Sequence, residues 1–148
     1  MSAQALTHAM LEEAELLDEL IDLVTEQREA VKDDDRELMQ DLMKDVQDVF
    51  FSIQTKEAQR TRLAESLAAA LGCEPRLSAL AAAISDGERA LFRGAGDRLG
   101  HVVFALKSEM AVLISLIERN ERYSAMLLSE WRRLNAGFTR AGGLDFRG

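Results

Sequence analysis

The sequence predicts an all-α fold: three long amphipathic helices in an antiparallel, coiled-coil-like bundle with short connecting helices. Three observations carry this. Hydrophobic residues reach 47% while aromatics are 5%, so the apolar content is mostly aliphatic, and Leu, Ala, Met, Glu and Arg, all good helix formers, dominate. Pro75 is the single proline in 148 residues, whereas an all-β chain needs frequent turn residues and more Val, Ile, Thr and Tyr. Apolar residues recur at three- and four-residue intervals through three long stretches, the spacing of one helix face. A chain of this length fits one domain that buries a core unaided.

The first helix is expected over residues 2–32. Leu6, Met10, Leu17, Leu20, Val24 and Val31 share a face, Leu16 and Leu23 widen it, and Glu13 and Gln27 interrupt it. That band is broader than a coiled-coil seam. Asp33, Asp34 and Asp35 then end the helix. Asp34 with Glu37 three residues later reads as an N-cap and its capping-box partner, across the tight turn of an αα-hairpin. The second helix is expected over 36–71, with Gly72 placed as its closing glycine. Its stripe runs Leu38, Leu42, Val46, Val49 and Ile53, then resumes at Leu63, Leu67 and Leu71. Residues 54–62 are polar on every face, so this section either projects past its neighbours or packs through long side-chain stems.

Residues 73–96 read as a connector. Pro75 stops one helix, residues 76–84 form a short Ala-rich one, and Gly87, Gly94, Gly96 and Gly100 punctuate the chain after it, which marks a mobile segment. The third long helix is expected over 97–136, capped by Asp97 and ended by Gly137. Its seam is Val103, Leu106, Met110, Leu113, Ile117, Asn120, Ser124, Leu127, Trp131 and Leu134. The steps alternate three and four throughout, the repeat of helices crossing at a shallow angle. Residues 1–136 are thus expected to be one helical-bundle domain and 137–148 a flexible, glycine-rich tail, unless Phe138, Leu144 and Phe146 make it a docking peptide.

Charge and composition exclude several classes. Net charge is −8, and residues 1–50 hold fifteen acids against four bases. An acidic chain without a basic stripe is a poor ligand for nucleic acid or anionic membrane. The acidic hairpin either serves solubility, partly facing Arg-bearing helices of its own bundle, or meets a basic partner. Apolar runs such as Ala111–Ile117, which Ser115 breaks, are far short of a membrane span, and the first ten residues lack the pattern of a signal peptide. With Cys73 the single cysteine, no internal disulfide forms, in keeping with a reducing cytoplasm.

No arrangement for catalysis or cofactor binding is visible. His8 and His101 are the two histidines, and neither stands in a Glu-x-x-His or His-x-x-x-His pattern, so di-iron and zinc sites are not expected. Glu12, Glu13 and Glu15 read as a solvated acidic face. A histidine phosphotransfer role for His101 is disfavoured because bulky Val102, Val103 and Phe104 come directly after it. The chain is expected not to be an enzyme.

The polar pair Asn120 and Ser124 on an apolar seam either hydrogen-bonds within the bundle or marks where the third helix leaves the core. Beyond it, Tyr123, Met126, Leu127, Leu128, Trp131 and Leu134 spread over more surface than one seam buries, and Tyr, Trp and Met suit an interface. Leu127 and Trp131 fit core packing equally well. Tyr123, Met126 and Leu128, off the seam, are the better partner-facing candidates.

The chain resembles the FlgN-type flagellar export chaperones. The resemblance lies in Leu16-Leu17 and Leu20 leading into Glu26-Gln27-Arg28-Glu29-Ala30-Val31, an acidic turn, then Leu38 and Leu42. It continues in Arg60 and Arg62 before Leu63-Ala64-Glu65 and Leu71-Gly72, and in Asn120, Tyr123, Met126 and Leu127 of the last helix. There Tyr123 stands where the family tends to have a second Asn, and Met126 where it has Leu. The resemblance implies a cytoplasmic chaperone that keeps hook–filament junction proteins soluble and delivers them to the type III export apparatus. Its last helix would bind the client through Asn120, Tyr123, Met126, Leu127, Leu128, Trp131 and Leu134. The alternative is a helical scaffold or oligomerising coiled coil, a homodimer whose third helix pairs with its own copy.

Overall fold

The computed structural model describes residues 3–120 and 125–140. Those residues form five α-helices: α1 (Ala3–Lys32), α2 (Arg36–Leu71), α3 (Leu77–Ala83), α4 (Asp86–Arg119) and α5 (Ala125–Arg140). The fold is all-α. Side-chain pairs give the directions. Glu12 meets Lys56, Glu13 meets Arg60, and Gln27 meets Met43, so α2 runs back along α1. Asp18 meets Arg98 and Arg28 meets Glu109, so α4 runs in the direction of α1. The helix α1 lies between the other two and packs along both, while α2 and α4 scarcely meet.

This layout explains the widths of the apolar stripes. α1 has two neighbours and buries a broad band that includes Leu6, Ala9, Met10, Leu17, Leu20 and Val24. α2 and α4 each have α1 as their one long-helix neighbour and bury a narrower seam. On α2 that seam passes through Met39, Met43 and Phe50 rather than Leu38 and Val49. Leu38 is 43% exposed and Met39 is fully buried. Long unbranched methionines and a phenylalanine reach α1 where a leucine stripe was expected.

The hairpin turn is set one residue later than Asp34 and Glu37 suggested. Asp34 adopts the left-handed conformation, φ 56°. The Asp35 N–H donates to Ala30 O at 2.8 Å and the Asp34 N–H to Val31 O at 3.1 Å, which is a Schellman closure of α1. Asp35 then caps α2, its carboxylate accepting from the Leu38 N–H at 3.1 Å. Left-handed backbone costs a non-glycine residue about 1 kcal/mol or more, and an aspartate at a helix C-terminus opposes the helix dipole. Asp34→Gly is therefore expected to raise stability by about 1 kcal/mol and Tm by about 3 °C. Calorimetry checks this; a lowered Tm would mean the Asp34 carboxylate holds the turn. Gly72 occupies the left-handed position after α2, φ 70°, as its place in the sequence suggests.

The connector and third helix differ from expectation. One short helix, α3, is present, but α4 begins at Asp86 rather than Asp97, so Gly87, Gly94, Gly96 and Gly100 lie inside it. The seam explains this. It extends backwards through Leu99, Ala95 and Phe92, with Leu99 and Phe92 fully buried. Each such large side chain contributes roughly 2 kcal/mol, against roughly 1 kcal/mol lost per internal glycine. Gly96 also makes room for α3: a Cβ there would stand 3.2 Å from Leu77 Cδ1. Arg89 closes the α3–α4 corner, its guanidinium donating to Ala81 O at 2.7 Å and Ile84 O at 3.0 Å, carbonyls the short helix leaves unpaired. At its other end α4 stops at Arg119, so the expected single helix over 97–136 is two helices. The expected tail from 137 is helical as far as Arg140, and residues 141–148 lie outside the described part.

By length and composition α4 could cross a membrane. Its buried residues, however, run from Phe92 to Ile117 along one face, and a third of the apolar window is buried inside the fold.

Candidate functional site

The expected partner-binding residues fall at the α4–α5 break and along α5. Asn120 is the C-cap of α4, with φ −106° and ψ 101°, and its N–H donates to Ile117 O at 3.1 Å. A polar residue on the seam thus ends the helix. Tyr123 and Ser124 lie outside the described residues, and so does the Met126 side chain.

α5 lies against α4 with its apolar face inward. Trp131 is 0% exposed and Leu134 3%, while Leu127 and Leu128 are half-buried and packed against the same core. Of the two alternatives open for Trp131, core packing is the one the structure has, and Leu134 is buried with it. Shielding a tryptophan and a leucine is the largest gain open to a helix this amphipathic. Leu128, expected to face a partner, also touches the core. Among the described residues the Trp131 indole N–H has no acceptor, so what the structure shows of its attachment is packing.

Polar ties complete the docking. Arg132 Nη2 donates to Glu118 of α4 at 2.6 Å, and Gln47 Nε2 of α2 donates to Glu130 at 3.2 Å. α5 therefore reaches both α4 and α2. The Arg133 guanidinium beside Glu130, with Gln47 adding a hydrogen bond, lowers the Glu130 carboxyl below its ordinary pKa. Arg132, Arg133 and Glu118 are largely solvent-exposed and Glu130 is half-buried, a setting in which ion pairs contribute little.

A second cluster was missed by the reading of Glu12, Glu13 and Glu15 as a solvated face. Glu13 is 2% exposed and accepts from Arg60 Nε at 2.8 Å; Arg60, 8% exposed, also pairs with Glu57 at 3.5 Å. Beside them Lys56 pairs with Glu12 at 2.7 Å. The polar section 54–62 of α2 thus packs on α1 through stems and ion pairs rather than projecting past it. Burial pushes the Glu13 carboxyl above its ordinary pKa, although Arg60 pulls the other way.

These are features of a scaffold and a docking helix. His8 and His101 are both exposed, and among the described residues no group of three or more His, Cys, Asp or Glu is placed to hold a metal ion.

Comparison with protein families gives one decisive result: the family described as FlgN protein matches residues 1–142. The chain belongs to the FlgN family. Comparisons with curated proteins and with solved structures give no match. Membership makes this a flagellar chaperone of non-enzymatic type, with a role exercised through protein surfaces. The match spans α5 as well as the three long helices, so the short docked helix is part of the FlgN pattern and not an appendage to it.

Proposed function

We propose that this FlgN-family protein is a cytoplasmic export chaperone. It covers the amphipathic terminal helices of hook–filament junction proteins and delivers them to the flagellar type III export gate, with α5 as the client-binding element. One observation carries the assignment to α5: a separate helix of 16 residues after the break at Asn120, held by one buried tryptophan, one buried leucine and a few surface contacts.

A junction protein before assembly exposes an apolar helical stripe, and helix-in-groove packing covers such a stripe. When α5 swings away, Leu127, Leu128, Trp131 and Leu134 become available together with the surface they covered, and Asn120, Tyr123 and Met126 extend the contact. The free energy of undocking α5 is subtracted from client affinity. That keeps binding moderate, which suits a carrier that must release its cargo.

A bridge across α5 tests this. Gln47→Cys and Glu130→Cys, in a Cys73→Ser background, are joined by a short bismaleimide. Capture of a purified junction protein, measured by calorimetry, is expected to fall more than about tenfold in the bridged protein, a change of about 1.4 kcal/mol. The unbridged cysteine variant is expected to bind normally. Undiminished capture by the bridged protein would place the client elsewhere.

A further inference from the structure

Along the α1–α2 hairpin runs a shallow apolar groove of about 410 Å³, lined by Glu19, Asp22, Leu23, Asp45, Asp48 and Val49. Leu23 and Val49 are its floor, half-buried and packed against the core, and Leu16 continues the floor along α1. The four carboxylates stand exposed on the two rims, and none of them pairs with another described residue. Bases of the same two helices are engaged elsewhere: Lys56 with Glu12, Arg60 with Glu13 and Arg28 with Glu109. Lys44 points about 140° away from Val49, taking about 100° per residue. The facing rims repel each other while the floor between them stays open to solvent. Among the described residues no group of three or more acids is placed to hold a metal ion, so this spread of charge does not match a cation. Gln47, the α2 residue that ties α5, points about 160° from Val49 around the helix. The groove and α5 therefore lie on opposite sides of α2.

We propose that this groove seats a basic amphipathic helix of a protein other than the client, and that it does so whether or not α5 is engaged. Charge complementarity names the occupant. Apolar side chains at three- and four-residue spacing lie on Leu16, Leu23 and Val49, as in other helix-in-groove contacts. Lysines or arginines flanking that stripe lay their stems along the floor and reach Glu19 and Asp22 on one rim, Asp45 and Asp48 on the other. An acidic or neutral helix would leave those carboxylates covered and unmatched, which is costly, so the rims select the sign of the partner. Leu16 and Leu23 stand about 10 Å apart along α1, enough for about two turns of a bound helix. The excess of fifteen acids over four bases in residues 1–50 thus serves recognition as well as solubility.

A fluorescein-labelled synthetic helix of about five turns, with leucines three and four apart flanked by lysines, is the probe, titrated with the full chain and read by anisotropy. Micromolar binding is expected, weakening as salt rises. Asp45→Lys with Asp48→Lys is expected to weaken it at least about tenfold, and Glu19→Lys with Asp22→Lys likewise. Both variants are expected to keep their helicity and raise Tm, because each reversal turns repulsion across the groove into attraction. Glu65→Lys with Asp97→Lys makes the same change in net charge at exposed positions elsewhere and is expected to leave binding within about twofold. A probe with glutamine for leucine is expected to bind at least about tenfold more weakly. Binding indifferent to the groove variants, an equal loss in the Glu65 and Asp97 variant, or equal binding of the glutamine probe would overturn the proposal. So would displacement of the probe by a purified junction protein, which would give the groove to the client. The protein with α5 bridged is expected to bind the probe normally, so failure of the α5 assignment would leave this result in place.

Discussion

Trp131→Ala is expected to undock α5 while α1, α2 and α4 stay folded. Trp131 is 0% exposed, and among the described residues the other buried α5 side chain is Leu134. Truncating a buried tryptophan costs about 3–5 kcal/mol. The exposed ties, Arg132 to Glu118 and Gln47 to Glu130, are worth about 1 kcal/mol or less each, so they do not hold the helix alone. Once released, a 16-residue segment is close to the length at which an isolated helix is marginal, and α5 unwinds. Hydrogen exchange then reads complete loss of protection in 125–136 with protection retained around Leu17, Leu20 and Leu106. Far-UV dichroism falls by the share of one short helix. Trp131→Phe keeps most of the ring and removes an indole N–H that has no acceptor, so its cost is expected to be about 1 kcal/mol. A uniform loss of protection with one lowered cooperative transition would make α5 inseparable from the core, and the exchange proposed for client binding would lose its physical basis.

The sequence carried the helical fold through stripe width. The broad band of α1 and the narrower seam of α4 follow from two long-helix neighbours and one, and Gly72 ended α2 where expected. Two features were hidden for identifiable reasons. The regular three-and-four spacing from Val103 to Leu134 runs straight through the break at Asn120, because α5 folds back and buries a stripe of the same period. Periodicity records which residues are buried and not whether one helix or two buries them. The glycines before Leu99 suggested a loop, yet Phe92 and Ala95 already continued the seam. The missed ion pair had a legible signal as well. Folding the hairpin about Asp34 sets Glu13, the flaw in the α1 stripe, against the polar section 54–62 of α2. Two interruptions that coincide across a hairpin imply a buried partnership. At the candidate site, the polar Asn120 on the seam stands where α4 ends, but only burial distinguishes a stripe already covered from one still open.

That partnership carries the other large expected effect. Glu13→Leu is expected to cost about 3 kcal/mol, because it takes from the buried Arg60 guanidinium the carboxylate that meets it at 2.8 Å. The double variant Glu13→Leu with Arg60→Leu is expected to be at least as stable as the wild-type protein and up to about 4 kcal/mol more so, since apolar side chains of similar reach avoid desolvating both charges. The raised pKa of Glu13 supports this order: burial costs its charged form more than Arg60 returns. A carboxyl raised in the folded state contributes stability that is fully present below its unfolded pKa and is lost as pH rises through the folded value. Relative to wild type, Glu13→Gln therefore gains stability as pH rises from the ordinary carboxylate range towards neutrality. Glu12 and Glu130, whose pKa values are lowered by Lys56 and Arg133, act in the opposite sense, losing their contribution as pH falls. Urea unfolding of the four proteins from pH 4 to 8 separates the two senses. If the double variant is less stable than the wild-type protein, the pair is a net stabiliser of the α1–α2 hairpin. Its retention would then reflect strength. If the double variant is the more stable, what the ion pair supplies is register: a shift of α2 along α1 would leave Glu13 and Arg60 both buried and unmatched, a penalty that no leucine pair imposes.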